Sequence, residues 1–315
     1  MTPVQIKNTA RLRLATAAYP PKKLALIYMA ITLGAAFLSL LLSFAVGLMM
    51  ENTGGLSGLD TRAVMETVSA VISYAVQIAT PLLSMGFLHS TILLAREKEA
   101  VPAALSTGFK RWALLLRYGL LQCVILVGLC YIALQVATVI FTFLPGSDNA
   151  VDLMMRFMED PTILAGNITE AQISQMVTAM APAYIIAGVL FIAAYIPISY
   201  RLRLGSFFVM DETPTGAIRS TLQSIRLMKG SCKALFKLDL SFWWYYLLQF
   251  LLSTATSVLG IFLSDLWYVV AYGVYCLALF LLEYRYLAYV QVSYAVFYDT
   301  LGQTASAPTL PQIEE

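Results

Sequence analysis

The chain has 315 residues, 59% of them hydrophobic and only 12% charged, with a mean hydropathy of +0.76. A soluble domain of this length carries about twice that charged fraction, so the surplus apolar surface needs lipid and the class is a polytopic α-helical membrane protein. A formal net charge of +2, with no basic-aromatic patch away from the membrane boundaries, argues against a nucleic-acid partner.

Residues 1–23 carry Lys7, Arg11, Arg13, Lys22 and Lys23 and no acid, and Ile6, Ala10 and Leu14 share a helical face. This pattern predicts a short interfacial helix over about 4–14. The apolar run that follows is much longer than the ~7–15-residue core of a signal peptide, so it reads as a first span over about 24–50. Ala35, Ser39, Ser43 and Gly47 repeat every fourth residue there, a stripe that lets another helix come close.

A Gly-rich outer loop, Glu51–Thr61, leads to a second span over about 63–95, interrupted by Pro81. Ser69, Ser73, Gln77, Thr80 and Ser84 follow one another at three- and four-residue steps. Such a stripe is either the wall of a polar cavity or a set of interhelical hydrogen bonds, and polar packing is the commoner use in membrane bundles. A short connection, Arg96–Arg111, precedes the third span over about 112–144. The outer segment Pro145–Ala181 holds five acids and one base and is expected to form two short helices, one capped by Thr169. It includes the glycosylation-type triplet Asn167-Ile168-Thr169.

The fourth span is expected over about 182–200, and a basic stretch follows. In it Thr213 reads as an N-cap and Pro214 as a first helical residue, giving a surface helix over about 213–230 with Gly230 as its stop. Ile218, Leu222 and Ile225 mark an apolar face, while Arg219, Arg226 and Lys233 recur every seventh residue on another. With Lys229 and Lys237, these cations form a candidate surface for anionic lipid or a membrane-protein partner. The fifth span is expected over about 240–263, with Gln249, Ser253, Thr256 and Gly260 on one face. After a Ser264-Asp265 turn comes the sixth, over about 266–282, striped by Tyr268, Tyr272 and Tyr275. An aromatic tail follows, and 302–315 reads as disordered.

The threading that results is one integral membrane domain over 1–301. It is an all-α six-helix transmembrane bundle with amphipathic helices on its cytosolic face. Of the 20 Lys and Arg residues, 18 fall on the side holding both termini, which makes that side the cytosol.

The spans carry no ionisable residue near their centres, which counts against a charge-driven transporter. His89 is the only histidine and reads as a hydrogen-bonded packing residue; with Cys123, Cys130, Cys232 and Cys276 scattered, a zinc site lacks ligands. Ser57 in the Gly55–Gly58 loop mimics an intramembrane protease motif, but His89 is expected at the opposite face of the bilayer. No enzyme constellation and no cofactor motif stands out. The leading reading is a non-enzymatic scaffold or accessory protein that engages anionic lipid or a partner through its basic surface helices. The alternative is a permease or lipid-handling transporter, whose candidate cavity wall is Ser73, Gln77, Ser84, His89, Gln249, Ser253, Tyr268 and Tyr272.

Several stretches carry a family resemblance: IKNTARLRL near the start, PLLSMGFLHSTILLAREKE with STGFKRW, AIRSTLQSIRLMKGSCKALFKLDLSFWWYYLL, and YAVFYDTLG. Together they resemble a bacterial family of multi-pass membrane proteins catalogued as domain of unknown function 975. The most specific part runs from Ser224 through Leu227-Met228-Lys229-Gly230 and Leu235-Phe236 to Ser241-Phe242 and Trp243-Trp244. Where that family has Pro-Tyr near the inner end of its last helix, this chain has Glu283-Tyr284-Arg285. The resemblance implies a bacterial plasma-membrane protein with six helices and brings no activity with it.

Overall fold

The structure, a computed structural model, describes residues 2–52, 59–143, 152, 155, 170–262 and 265–306. The Gly-rich loop with Ser57, the outer acceptor triplet with Thr169, Ser264 and residues 307–315 lie outside the described residues. Among the described residues all regular structure is helical, and six helices are long and apolar enough to cross a membrane. The helices are α1 (Pro3–Thr16), α2 (Pro21–Asn52), α3 (Leu59–Ala95), α4 (Thr107–Lys110), α5 (Trp112–Thr142) and α6 (Glu170–Leu202). They continue with α7 (Gly205–Met210), α8 (Ala217–Leu227), α9 (Cys232–Leu240), α10 (Trp243–Phe262) and α11 (Asp265–Ser306).

The chain divides into two compact units. One, Arg117–Arg203, holds most of α5 and α6, which meet where Phe141 packs with Ala179, Met180 and Ala183. The other comprises Met1–Leu116 and Leu204–Glu315 and contains the polar networks and surfaces described below.

Four expected boundaries are corrected. The sixth span does not stop at 282: α11 is one helix of 42 residues. At ~1.5 Å per residue it is about 63 Å long, twice the ~30 Å hydrocarbon core. Nothing at Glu283-Tyr284-Arg285 breaks a helix, and the supposed tail is core: Val290, Val292 to Tyr298 and Leu287 are buried. Gly302–Ser306 are helical rather than disordered. The helix of the fourth span begins at Glu170 and its membrane-compatible stretch at Val177, not at Pro182, because an internal proline is tolerated in a long apolar helix. Pro81 likewise interrupts nothing in α3, where the Thr80 hydroxyl bonds the Val76 carbonyl at 2.8 Å and the Ser84 hydroxyl the Thr80 carbonyl at 3.0 Å.

The fourth correction concerns the basic stretch. Thr213 and Pro214 precede the helix, which starts at Ala217 with Gly216 as N-cap. They are held in a turn, because Asp211 is extended (φ −60°, ψ 164°) and the Thr215 amide bonds back to the Phe208 carbonyl at 3.4 Å. The helix ends at Leu227 with Met228 as C-cap, before Gly230, which turns the chain at φ +88°; Lys233 and Lys237 therefore belong to a separate helix and the sevenfold repeat is broken.

The N-terminal helix is capped by Thr2, with a Gln5 capping box, and buries Ile6 and Ala10 against the unit's own interior. The Lys7 ammonium bonds the Ser241 carbonyl at 2.7 Å and sits 4.2 Å from the centre of the Phe242 ring. α11 is the common partner, touching α1, α2, α3, α8 and α10.

Two glycines fix how the Arg96–Arg111 connection lies on α3. A Cβ at Gly86 would fall 1.9 Å from the Leu105 carbonyl oxygen, and one at Gly108 would fall 1.8 Å from that of Leu82. Backbone rests on backbone at both points, and neither neighbour is a side chain that can swing away. Gly86→Ala and Gly108→Ala are therefore each expected to cost about 2–3 kcal/mol in detergent thermal unfolding. Gly34→Ala, with nothing within 4 Å, should be neutral or stabilising by about 0.5–1 kcal/mol. Equal melting temperatures for Gly86→Ala and Gly34→Ala would contradict this packing.

Candidate functional site

The densest polar cluster forms where α3 ends. Its last turn closes as a Schellman motif: the Lys98 amide bonds the Leu93 carbonyl at 2.9 Å and the Glu97 amide the Leu94 carbonyl at 3.2 Å. Glu97 occupies the left-handed position at φ 59°, which glycine usually fills. The turn throws the Arg96 guanidinium across to two other segments. Nη1 and Nη2 grip both oxygens of Asp211, the latter at 3.0 Å, while Nε donates to Asp299 Oδ1 at 3.0 Å. A two-toothed guanidinium–carboxylate pair of this kind is strong and geometrically selective.

Asp211 is the centre of the cluster. Its Oδ2 also accepts from the Tyr298 hydroxyl at 2.8 Å, and its Oδ1 from the Glu212 amide at 2.7 Å. Behind it, the last carbonyls of α7 are capped from two other elements. Arg111 Nη1 donates to the carbonyls of Asp211 (2.6 Å) and Val209 (3.3 Å). His89 Nδ1 meets the Met210 carbonyl at 2.6 Å. A carbonyl only accepts, so Nδ1 carries the proton and the neutral ring's Nε2 is the acceptor. Cations and N–H donors at a helix C-terminus satisfy carbonyls that the helix itself leaves open. Lys98 and Glu212 add a more exposed pair at 2.6 Å.

Burial alone would raise the Asp211 pKa, but hydrogen bonds from Arg96, Tyr298 and the Glu212 amide outweigh it and hold the carboxyl below its ordinary value. The same pairing drives the Arg96 pKa up, against the desolvation that opposes it. Arg111 is shifted the other way, downward, by burial.

A second network joins α9, α10 and α11. The Tyr294 hydroxyl donates to Asp239, and the Tyr246 and Tyr294 hydroxyls lie 2.6 Å apart. One turn further along α10, Gln249 Nε2 reaches the Tyr245 hydroxyl at 2.9 Å and Glu283 Oε1 at 3.3 Å.

The candidate cavity residues are engaged separately. Ser73 shares a hydrogen bond with Ser39 of α2 at 3.1 Å, and Ser84 with Tyr28 of α2 at 2.8 Å. The stripe on α3 thus meets α2 at Ser39 of its small-residue stripe and at Tyr28. Gln77 and Ser253 are exposed. Tyr268 packs over Gly260, and its ring centre is 6.2 Å from that of Tyr272. His89 belongs to the α7 cap. Among the described residues no hydrogen bond joins the α3 members to those on α10 and α11. Arg219, Arg226, Lys229, Lys233 and Lys237 are all exposed. Among the described residues no group of three or more His, Cys, Asp or Glu side chains is placed to hold a metal ion.

Nothing in the sequence brings the node around Asp211 together. By charge alone Arg96 and Arg111 mark topology, and Tyr298 and Asp299 fall in the aromatic tail. The available signal was the presence of acids, Asp211, Asp239 and Asp299, on the side where nearly all cations fall. Compared with protein-family models, curated proteins and solved structures, the chain matches none.

The linkage has a definite sign. A carboxyl held below its unfolded value stabilises the fold fully above a pH of about 4, and that stability is lost as pH falls through the depressed folded-state value. Thermal unfolding between pH 7 and pH 2 should therefore show an acid-labile component in the wild type that is much reduced in Asp211→Asn. The same variant should lose about 2–4 kcal/mol at pH 7, since it leaves Arg96 half-paired in a site that is mostly buried. Superimposable acid profiles would contradict the role given to Asp211.

Proposed function

We propose that this is a non-enzymatic accessory protein of a bacterial plasma membrane, of the kind its resemblance implies, with six spans and both termini in the cytosol. Its working surface is the basic cytosolic face, where α8 and α9 lie on anionic lipid. A membrane-protein partner is the alternative occupant of that face.

One observation carries the reading. On α8, outside every candidate span, the polar side is turned into the protein and the apolar side outward. Ser220 and Ser224 are 0% exposed, while Ile218 is 68%, Leu222 49% and Ile225 37% exposed. Arg219 and Arg226 flank that outward face. α9 buries apolar side chains instead, Leu235 and Leu238, but it too leaves apolar ones outward, Phe236 and Leu240, beside Lys233 and Lys237. An apolar face rimmed by cations is the profile of a helix lying in a headgroup layer, where each Lys or Arg near an anionic surface contributes about 1 kcal/mol. Trp243 and Trp244, their rings tilted with centres 4.0 Å apart, stand where the chain enters α10 and fit an interfacial belt. The permease reading draws on the polar stripes, and the α2 partners of Ser73 and Ser84 favour packing over a pathway for those residues.

A nitroxide at Ile218→Cys, in full-length protein freed of its native cysteines and reconstituted in phosphatidylglycerol-containing vesicles, should be more accessible to oxygen than to a water-soluble nickel reagent. Adding Arg219→Glu, Arg226→Glu and Lys229→Glu should reverse that preference. A label reached mainly by the aqueous reagent in the unmutated background would overturn the lipid reading.

A further inference from the structure

Against the middle of α11, the corner between α1 and α2 opens a groove of about 860 Å³. Its charged lining is Arg11, Lys22 and Arg285, and its aromatic lining is Tyr284, Tyr286 and Tyr289. No acid lines it. The nearby cations Arg13, Arg96 and Lys98 are each committed to a carboxylate. Among the described residues, by contrast, none of the three groove cations has a carboxylate within 4.0 Å. Two of them are steadied by aromatic faces instead. The Arg11 guanidinium carbon lies 5.2 Å from the centre of the Tyr289 ring, and that of Arg285 lies 6.0 Å from the Tyr286 ring. A guanidinium steadied by a ring keeps N–H donors for an incoming anion. α2 also begins at this corner, so the positive end of its dipole adds to the field.

Below the cations the surface turns apolar along both helices. On α11, Leu281 and Leu277 follow Arg285 at one and two turns and are 59% and 58% exposed. On α2, Leu26 follows Lys22 by one turn and is also exposed. The groove therefore presents cations to a phosphodiester and, directly beneath, two leucine-faced helices to acyl chains.

We infer that this groove holds the headgroup of one anionic glycerophospholipid per chain. Its phosphodiester lies between Arg11, Lys22 and Arg285, and its acyl chains run along the Leu26 and Leu281–Leu277 faces. The site is separate from the α8–α9 surface and uses different residues, so it stands or falls independently of the membrane-surface reading.

The test is native mass spectrometry of the full-length protein titrated with phosphatidylglycerol or phosphatidylcholine. One phosphatidylglycerol should bind per chain in preference to phosphatidylcholine, and Lys22→Glu with Arg285→Glu should weaken it about tenfold or more. Lys229→Glu with Lys233→Glu should leave that first lipid in place. Equal retention of phosphatidylcholine, or loss only in the second variant pair, overturns the groove site; the latter result would leave the surface reading intact. Competition by soluble glycerophosphoglycerol as effective as by the lipid would overturn the membrane source of the ligand. If the groove variant does not fold, photocrosslinking of wild-type protein with a diazirine-bearing phosphatidylglycerol decides the matter. Adducts within 11–22 and 284–289 support the inference, and adducts elsewhere alone overturn it.

Discussion

A single guanidinium gripped by two carboxylates organises one end of this protein. Arg96 leaves the final turn of α3, Asp211 ends the short α7, and Asp299 sits near the end of α11. These residues are 115 and 203 positions apart from Arg96 in sequence, so the pairing closes very long loops. Such a node stabilises only when its remaining hydrogen-bonding capacity is filled, because a half-satisfied charge in a mostly dry site is costly. Here the capacity is filled from four directions: Tyr298, the Glu212 amide, and Arg111 and His89 on the carbonyls behind.

From that node the rest of the unit follows. α11 does not end at Leu282, because its second half is the post against which α1, α3 and α8 are set. Gly86 and Gly108 let the 102–110 connection lie directly on α3, which brings Arg111 within reach of α7. The Lys7–Ser241 bond and the Lys7–Phe242 contact then close α1 over the start of α10. Two cationic surfaces are left on the outside, one rimming the exposed apolar side of α8 and the other lining the corner between α1 and α2.

Composition and periodicity made much of this legible. The six apolar rods, an N-terminal helix with Ile6 and Ala10 on one face, a break in the basic stretch near Gly230 and the exposure of the five lysines and arginines could all be read residue by residue. What could not be read was tertiary in origin. A hydropathy pattern registers the end of an apolar run at Leu282, but not that a helix continues as a protein core, since Tyr, Val and Ser look alike in a tail and in a packed rod. Thr213 and Pro214 have the chemistry of a helix start, and it was the anchoring of Asp211 two residues earlier that moved the start to Ala217. The polar stripe on α3 was visible, but its Tyr28 and Ser39 partners on α2 were not. Single acids among many bases looked like noise because their partners are distant in sequence.

The claim on which all this depends is that Arg96 and Asp211 act as one unit. A double-mutant cycle with Arg96→Met, Asp211→Asn and the combined variant, followed by thermal unfolding in detergent at neutral pH, measures it directly. Coupling of about 1–3 kcal/mol, with the double variant little worse than either single one, is the expected result. Strictly additive losses would mean that the two side chains stabilise the protein independently, and the node would not be its organising contact.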